Sequence, residues 1–118
     1  RLFLDCYNAN PSSMALAIAD FSRRSSVRPR VMILGEMREL GQGSRGLHAR
    51  VAQQATESGA EQCYFVGAEW AGVVPEEHHF TDCQACAEYL GSHPLTGCDV
   101  LLKGSHGVAL EQLEPYLL

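Results

Sequence analysis

Long hydrophobic runs are missing from this chain of 118 residues. No stretch approaches the roughly 18 to 20 apolar residues that cross a bilayer, so no membrane partner is expected. The N-terminal stretch shows no basic-plus-apolar leader pattern. Lysine is almost absent. Of nine basic residues eight are arginine and the ninth is Lys103, and fourteen acidic residues leave a net charge of -5. An acidic chain with scattered arginines lacks the basic face that a phosphate backbone requires, so no nucleic-acid partner is expected. Cysteines number five (Cys6, Cys63, Cys83, Cys86 and Cys98). That odd count, without tight regular spacing, is not a disulfide framework. Reduced, buried thiols and a cytoplasmic location are the expectation. The chain also lacks the G-x-x-x-x-G-K-[ST] cradle for a nucleoside triphosphate and the G-x-S-x-G elbow of a serine hydrolase. Internal repeats, low-complexity stretches and linkers are absent.

What is present is an ordinary folded composition: 46% hydrophobic, 19% charged, mean hydropathy -0.10. The length fits a single domain, residues 1–118, with one core. Arg1 is followed at once by the apolar run Leu2-Phe3-Leu4. A domain boundary usually carries a polar lead-in, so the natural protein is expected to continue upstream.

Apolar runs alternate with helical patterns. Strands are expected over Leu2–Cys6, Val31–Leu34, Cys63–Val66 and Val100–Leu102, with a short one at His79-Phe80. Helices are expected from a Ser12 or Ser13 cap to a last turn carrying Arg23 and Arg24, from a Ser44 cap through Ala55 to a stop near Gly59, from a Thr81 cap to about Leu90 with Gly91 closing it, and from about Val108 to the end. This alternation predicts an α/β fold, Rossmann-like, with a mostly parallel sheet and helices on both faces. Coverage of both faces explains why the strands are continuous apolar runs. In such a sheet ligands bind beyond the carboxyl ends of the strands. Those ends carry Tyr7-Asn8-Ala9-Asn10, Gly35-Glu36, Gly67-Ala68-Glu69 and Lys103-Gly104-Ser105-His106.

Each candidate motif has a plainer reading beside it. Gly41-Gln42-Gly43-Ser44-Arg45-Gly46 matches G-x-G-x-x-G, but six residues separate it from the strand end and the following acid is missing, which favours a loop entering a helix. His78, His79, Cys83 and Cys86 could face one zinc ion, yet two cysteines within an apolar helix are explained by packing. Asn8 and Asn10 are either turn residues or amides for a base or sugar. Lys103 is either a surface lysine or a cation aimed at a carboxylate or phosphate, with Gly104 admitting the ligand.

Three segments carry a resemblance. Asp5-Cys6-Tyr7-Asn8-Ala9-Asn10-Pro11-x-Ser13-Met14 resembles D-x-Y-N-A-N-P-x-S-M. Leu34-Gly35-Glu36-Met37-Arg38-Glu39-Leu40-Gly41 followed by Leu47-His48 is similar to L-G-D-M-x-E-L-G…L-H. Leu102-Lys103-Gly104-Ser105-His106-Gly107 followed by Glu111 is similar to V-K-G-S-R-G…E. In this order they resemble the C-terminal domain of the Mur ligases that add D-alanyl-D-alanine to UDP-N-acetylmuramoyl-tripeptide.

The resemblance implies a Rossmann-like third domain that closes over an ATP-binding domain and helps bind nucleotide and dipeptide. It implies an ATP-dependent amide-forming ligase of peptidoglycan precursor synthesis, acting through an acyl phosphate. ATP and Mg2+ belong to the full-length enzyme, with no tight binding by this domain, which should be inactive in isolation. The expected partners are the missing UDP-sugar and ATP domains and the two substrates. By the same resemblance Asn8 and Asn10 lie near the nucleotide, and Lys103, Ser105 and His106 contact substrate or an anion. Glu39 and His48 order their loop. No catalytic group and no metal ligand is assigned. Glu36 replaces an Asp and His106 an Arg, which turns a fixed cation into a titratable one. The alternative is a free-standing small-ligand-binding module using the same strand-end edge.

Overall fold

The computed structural model describes residues 2–5, 9–24, 27–104 and 110–117. Five strands alternate with three helices: β1 (Leu2–Asp5), α1 (Pro11–Arg23), β2 (Arg30–Gly35), α2 (Ser44–Glu57), β3 (Gln62–Val66), β4 (His79–Phe80), α3 (Cys83–Ser92) and β5 (Asp99–Lys103). The sheet order is β1-β5-β2-β3-β4 and every pairing is parallel. Asp5 lies opposite Lys103, Lys103 opposite Leu34, and Gly35 opposite Val66, so the carboxyl ends share one edge.

The two-residue period divides the strands between two cores. Met32, Leu34, Phe65 and Leu101 pack with Met14, Ile18 and Phe21 of α1 and Val51, Ala52 and Ala55 of α2. Val31, Ile33, Tyr64, Val66, Val100 and Leu102 pack with Cys83, Cys86 and Leu90 of α3 and with Leu110 and Leu113. Covered on both faces, β2 is buried from Val31 to Gly35. Each Val, Leu, Ile, Met or Phe among them contributes about 1.5–3 kcal/mol when fully buried. This is the doubly covered parallel sheet that the alternating pattern predicts.

Helix ends differ from the sequence expectation in instructive ways. Asn10, not Ser12 or Ser13, caps α1: its Oδ1 accepts the Ser13 N–H at 2.9 Å, and its own N–H donates to Ser13 Oγ at 3.0 Å. Ser13 is thus the reciprocal member of a capping box. Asp82, not Thr81, caps α3, accepting the Ala85 N–H, and α3 continues past Gly91 to Ser92. A 3-10 turn over Gly41–Gly43 leads into α2, so Ser44 is its first helical residue and its hydroxyl is free for another task. The C-terminal segment is a 3-10 helix, Leu110–Tyr116, containing Pro115, a residue that no α-helix interior accepts cheaply. Cys6 and Val108 lie outside the described residues.

The path of the chain locates the crevice. β1 and β2 lead into α1 and α2 on one face, whereas β5, lying between them, leads to Leu110 and Leu113 on the other. Chain leaving adjacent strands in opposite directions opens the ligand crevice of parallel sheets. Here that point is the carboxyl end of β5, Lys103-Gly104.

Candidate functional site at the carboxyl edge

Glycine ends β2 at Gly35, and glycines follow β5 and β3 at Gly104 and Gly67. A Cβ on Gly104 would come within 2.6 Å of Leu110 Cδ1 and 3.3 Å of the Gly35 Cα, so the ends of β5 and β2 approach as only glycine allows. Gly67, just beyond β3, has φ +127°, and a Cβ there would meet Glu36 Oε1 at 2.5 Å. The Glu36 side chain therefore lies directly over the Gly67 backbone.

Lys103 is 2% exposed, which removes the reading as a surface lysine. By register it sits between Asp5 and Leu34, on the α1/α2 face. A buried lysine at the crevice of an otherwise apolar strand has a reason to be there beyond solubility. Ser105 and His106 lie outside the described residues, as does Asn8.

Asn10 stands at the same edge, but its Oδ1 is committed to the cap. Pro11 has no N–H, and the Ser13 and Met14 amides donate to Asn10. Little of the amide array that makes a helix start an anion site is left open at α1.

The loop after β2 is held by a network that the sequence indicates only in pieces. His48 is fully buried in α2. Its Nε2 accepts the Met37 N–H at 3.0 Å, which requires that nitrogen to be unprotonated. The ring is therefore the neutral Nδ1–H tautomer, donating to the Ser44 carbonyl at 2.8 Å. Trp70 packs edge-on against the ring, with centroids 4.6 Å apart. Ser44 Oγ, 3.2 Å from His48 Nδ1, donates to Glu69 Oε1 at 2.6 Å. The Glu69 N–H donates to Glu36 Oε1 at 3.0 Å, and the Glu36 N–H donates to the Val66 carbonyl. Arg38 pairs with Glu36 Oε2 at 3.3 Å. This is not a nucleophile and base: the imidazole has no free acceptor for the serine proton, and the hydroxyl is already given to a carboxylate.

Glu39 lies within the loop so held. It is exposed and has φ +61°, an unusual backbone for a side chain of that kind. The structure thus brings His48 against the loop that contains Glu39. It buries His48 and leaves Glu39 exposed. Glu69 is the member that sequence reading gave no part beyond a place in one of the strand-end groups, and Ser44, expected only as a helix cap, bonds to it instead.

The zinc arrangement does not form. The His78 and His79 rings bond to the carbonyls of Cys63 and Gly67, while Cys83 and Cys86 are buried against the sheet. Among the described residues no three His, Cys, Asp or Glu side chains come together as a metal site. Burial pushes the Cys63 and Cys83 thiols up to about 11 and that of Cys86 to about 12. They are neutral packing groups at physiological pH.

A parallel sheet of this order, with a buried lysine at its crevice and the glycine-ended β2 beside it, has known relatives. Residues 1–106 match the family described as Mur ligase, glutamate ligase domain, and the chain belongs to that family. It is 39% identical, over 97% of its length, to the UDP-N-acetylmuramoyl-tripeptide–D-alanyl-D-alanine ligase of Treponema pallidum (strain Nichols), and covers 27% of that protein. It is 29% identical to the Escherichia coli (strain K12) ligase of the same name, over 92% of the chain and 25% of that protein. Among solved structures its fold is similar to MurF from Acinetobacter baumannii (24% identity, TM-score 0.78, 95% of this chain, 26% of that one). It is also similar to the MurF ligase of Thermotoga maritima in complex with ADP (22% identity, TM-score 0.76, 98% of this chain, 27% of that one). The chain thus spans about a quarter of the length of these relatives.

Proposed function

We propose that this chain is the C-terminal domain of an ATP-dependent ligase that joins D-alanyl-D-alanine to UDP-N-acetylmuramoyl-tripeptide, a cytoplasmic step of peptidoglycan precursor synthesis. The observation that carries the reading is similarity across 97% of the chain to a relative of that name. The crevice at Lys103-Gly104 supports it. The UDP-sugar and ATP domains belong to the rest of the enzyme. A free-standing binding module has no observation in its favour beyond the same edge.

The chemistry divides accordingly. ATP with Mg2+, bound chiefly on the other domains, supplies the phosphoryl group that turns the tripeptide carboxylate into an acyl phosphate. Attack by the dipeptide amine then forms the amide and releases phosphate. The residues here fit an auxiliary contact rather than a nucleotide cradle, because the chain has no G-x-x-x-x-G-K-[ST] motif and the α1 amides are largely spent on Asn10.

The part of this domain is positioning and exclusion of water as it closes. Lys103, with Ser105 and His106, presents cationic and hydroxyl groups to anionic substrate oxygens. Asn8 and the amide nitrogen of Asn10 flank the nucleotide. His48 holds the loop after β2 through the Met37 N–H, and Glu39 orders it through the turn of its own backbone. The isolated domain should show no turnover.

The test is ADP release by the full-length enzyme carrying this domain. Release that requires both UDP-N-acetylmuramoyl-tripeptide and D-alanyl-D-alanine supports the reading. Release indifferent to the dipeptide removes it.

A further inference from the structure

We propose that Glu69 and Ser44 form a latch that sets the position of the Arg38–Glu39 turn, making Glu69 a positioning residue of the ligase. Its kinetic consequence rests on the function proposed above, while the latch itself is a property of the fold.

Three elements meet at this point: the loop after β2, the start of α2 and the 3-10 turn Ala68–Trp70 after β3. Glu69 bonds to the other two through different atoms. Its carboxylate takes the Ser44 hydroxyl at 2.6 Å, a short charge-assisted bond, and its N–H holds Glu36 Oε1 at 3.0 Å. From Ser44 the connection runs through His48 to the Met37 N–H, and from Glu36 it runs to Arg38. Residues 36–38 are therefore gripped at both ends, from below by α2 and from the side by the β3 turn. Arg38, its side chain half exposed, and the exposed Glu39 are what the grip presents along the carboxyl edge.

The grip has work to do, because Glu39 holds φ +61°. A side chain in that region costs about 1–2 kcal/mol and persists only where its surroundings over-determine it. Residues 36–38 on one side and the turn at Gly41 on the other supply that constraint. Ser44 is 8% exposed and His48 fully buried, so the latch is anchored in the core while Glu69 reaches it from the surface. Small displacements of groups that align reacting atoms cost rate steeply, up to about a hundredfold for an ångström.

The experiment compares Glu69→Ala, Glu69→Gln and Ser44→Ala in the full-length enzyme, with two readouts. Backbone hydrogen exchange of residues 36–41 should quicken about tenfold or more in Glu69→Ala and Ser44→Ala. It should return toward wild type in Glu69→Gln, whose Oε1 still accepts the hydroxyl. In steady state, Glu69→Ala should lose roughly tenfold in kcat with the KM for D-alanyl-D-alanine changed less than twofold. Glu69→Gln should recover most of that loss, and Ser44→Ala combined with Glu69→Ala should be no slower than either variant. Unchanged exchange in Glu69→Ala overturns the latch whatever the reaction proves to be. Faster exchange with kcat unaltered overturns its positioning role. A wild-type enzyme that ignores the dipeptide overturns the functional reading and leaves the exchange result to decide the latch.

Discussion

Gly67 lies under Glu36 so closely that a Cβ at position 67 would come within 2.5 Å of the carboxylate oxygen. The two residues are consecutive members of one construction. Gly67, at φ +127°, lets the chain turn sharply after β3, and Glu36 fills the space a side chain would have taken and receives the Glu69 N–H there. Gly67→Ala must therefore strain the backbone and expel Glu36 together. It should lower stability by about 2 kcal/mol, the cost of forcing a side chain into a glycine-only region. Urea denaturation of wild type and variant measures it.

His48 should be less replaceable than its lack of any catalytic part suggests. His48→Ala removes the acceptor of the buried Met37 N–H and opens a hole beside Trp70. An orphaned buried donor costs about 1–3 kcal/mol, and the cavity adds to it. A loss of about 3 kcal/mol or more in the same denaturation experiment is expected. A loss under 1 kcal/mol would show that the bond contributes little.

Glu39→Gly should move stability the other way. Glycine takes φ +61° without steric cost, so the strain of about 1–2 kcal/mol is released, less the extra freedom gained by the unfolded chain. A net gain of up to about 1 kcal/mol is expected, accompanied by lower turnover of the full-length enzyme if the carboxylate serves at the crevice. A variant that gains stability at no cost in rate would make Glu39 a matter of loop shape only.

Most of the fold was legible because the inner strands β2 and β5 are buried on both faces, which writes them as apolar runs, and Asn, Asp and Gly punctuate the gaps. The caps lie one to three residues from the expected positions where several candidates adjoin: Asn10 near Ser12 and Ser13, Asp82 beside Thr81. Only the backbone angle at the cap separates such neighbours. At the site, Lys103 and His48 could be singled out from their surroundings in the chain, but the burial of both could not, since it depends on α1 and α2 converging over the edge. The Ser44–Glu69 bond joins residues 25 apart, and nothing local marks it.

Alkali should unfold this domain through its thiols. Burial raises Cys63 and Cys83 to about 11 and Cys86, beside Cys83, to about 12, against an ordinary 9.0. Above pH 9 the unfolded chain gives up these protons before the folded one does, so the folded state binds more protons and stability falls with rising pH. The contribution is complete below about pH 9 and disappears progressively toward pH 12. Urea midpoints measured from pH 8 to 11 should decline, and Cys86→Ala, though weaker at neutral pH, should decline less steeply. Parallel slopes would assign the decline to other groups.

Lys103 is the residue on which the proposed function can be tested at the crevice. Lys103→Ala should reduce turnover of the full-length enzyme tenfold or more, the rate equivalent of losing a charged hydrogen bond of about 1.5–3 kcal/mol. His106→Arg, which restores a permanent cation, should not reduce it. Steady-state kinetics of the two variants, with thermal melts to confirm folding, check both. Equal rates for wild type and Lys103→Ala would remove Lys103 from the crevice chemistry.

The central claim is the identity of the amine. The family is described by a glutamate ligase domain, whereas the relatives are named for D-alanyl-D-alanine. The deciding measurement offers the full-length enzyme ATP, UDP-N-acetylmuramoyl-tripeptide and, in parallel, D-alanyl-D-alanine or glutamate, and weighs the product by mass spectrometry. The expected product is heavier by the dipeptide less one water, with ADP formed in equal amount, and none forms with glutamate. A glutamate adduct, or no adduct with the dipeptide, would contradict it.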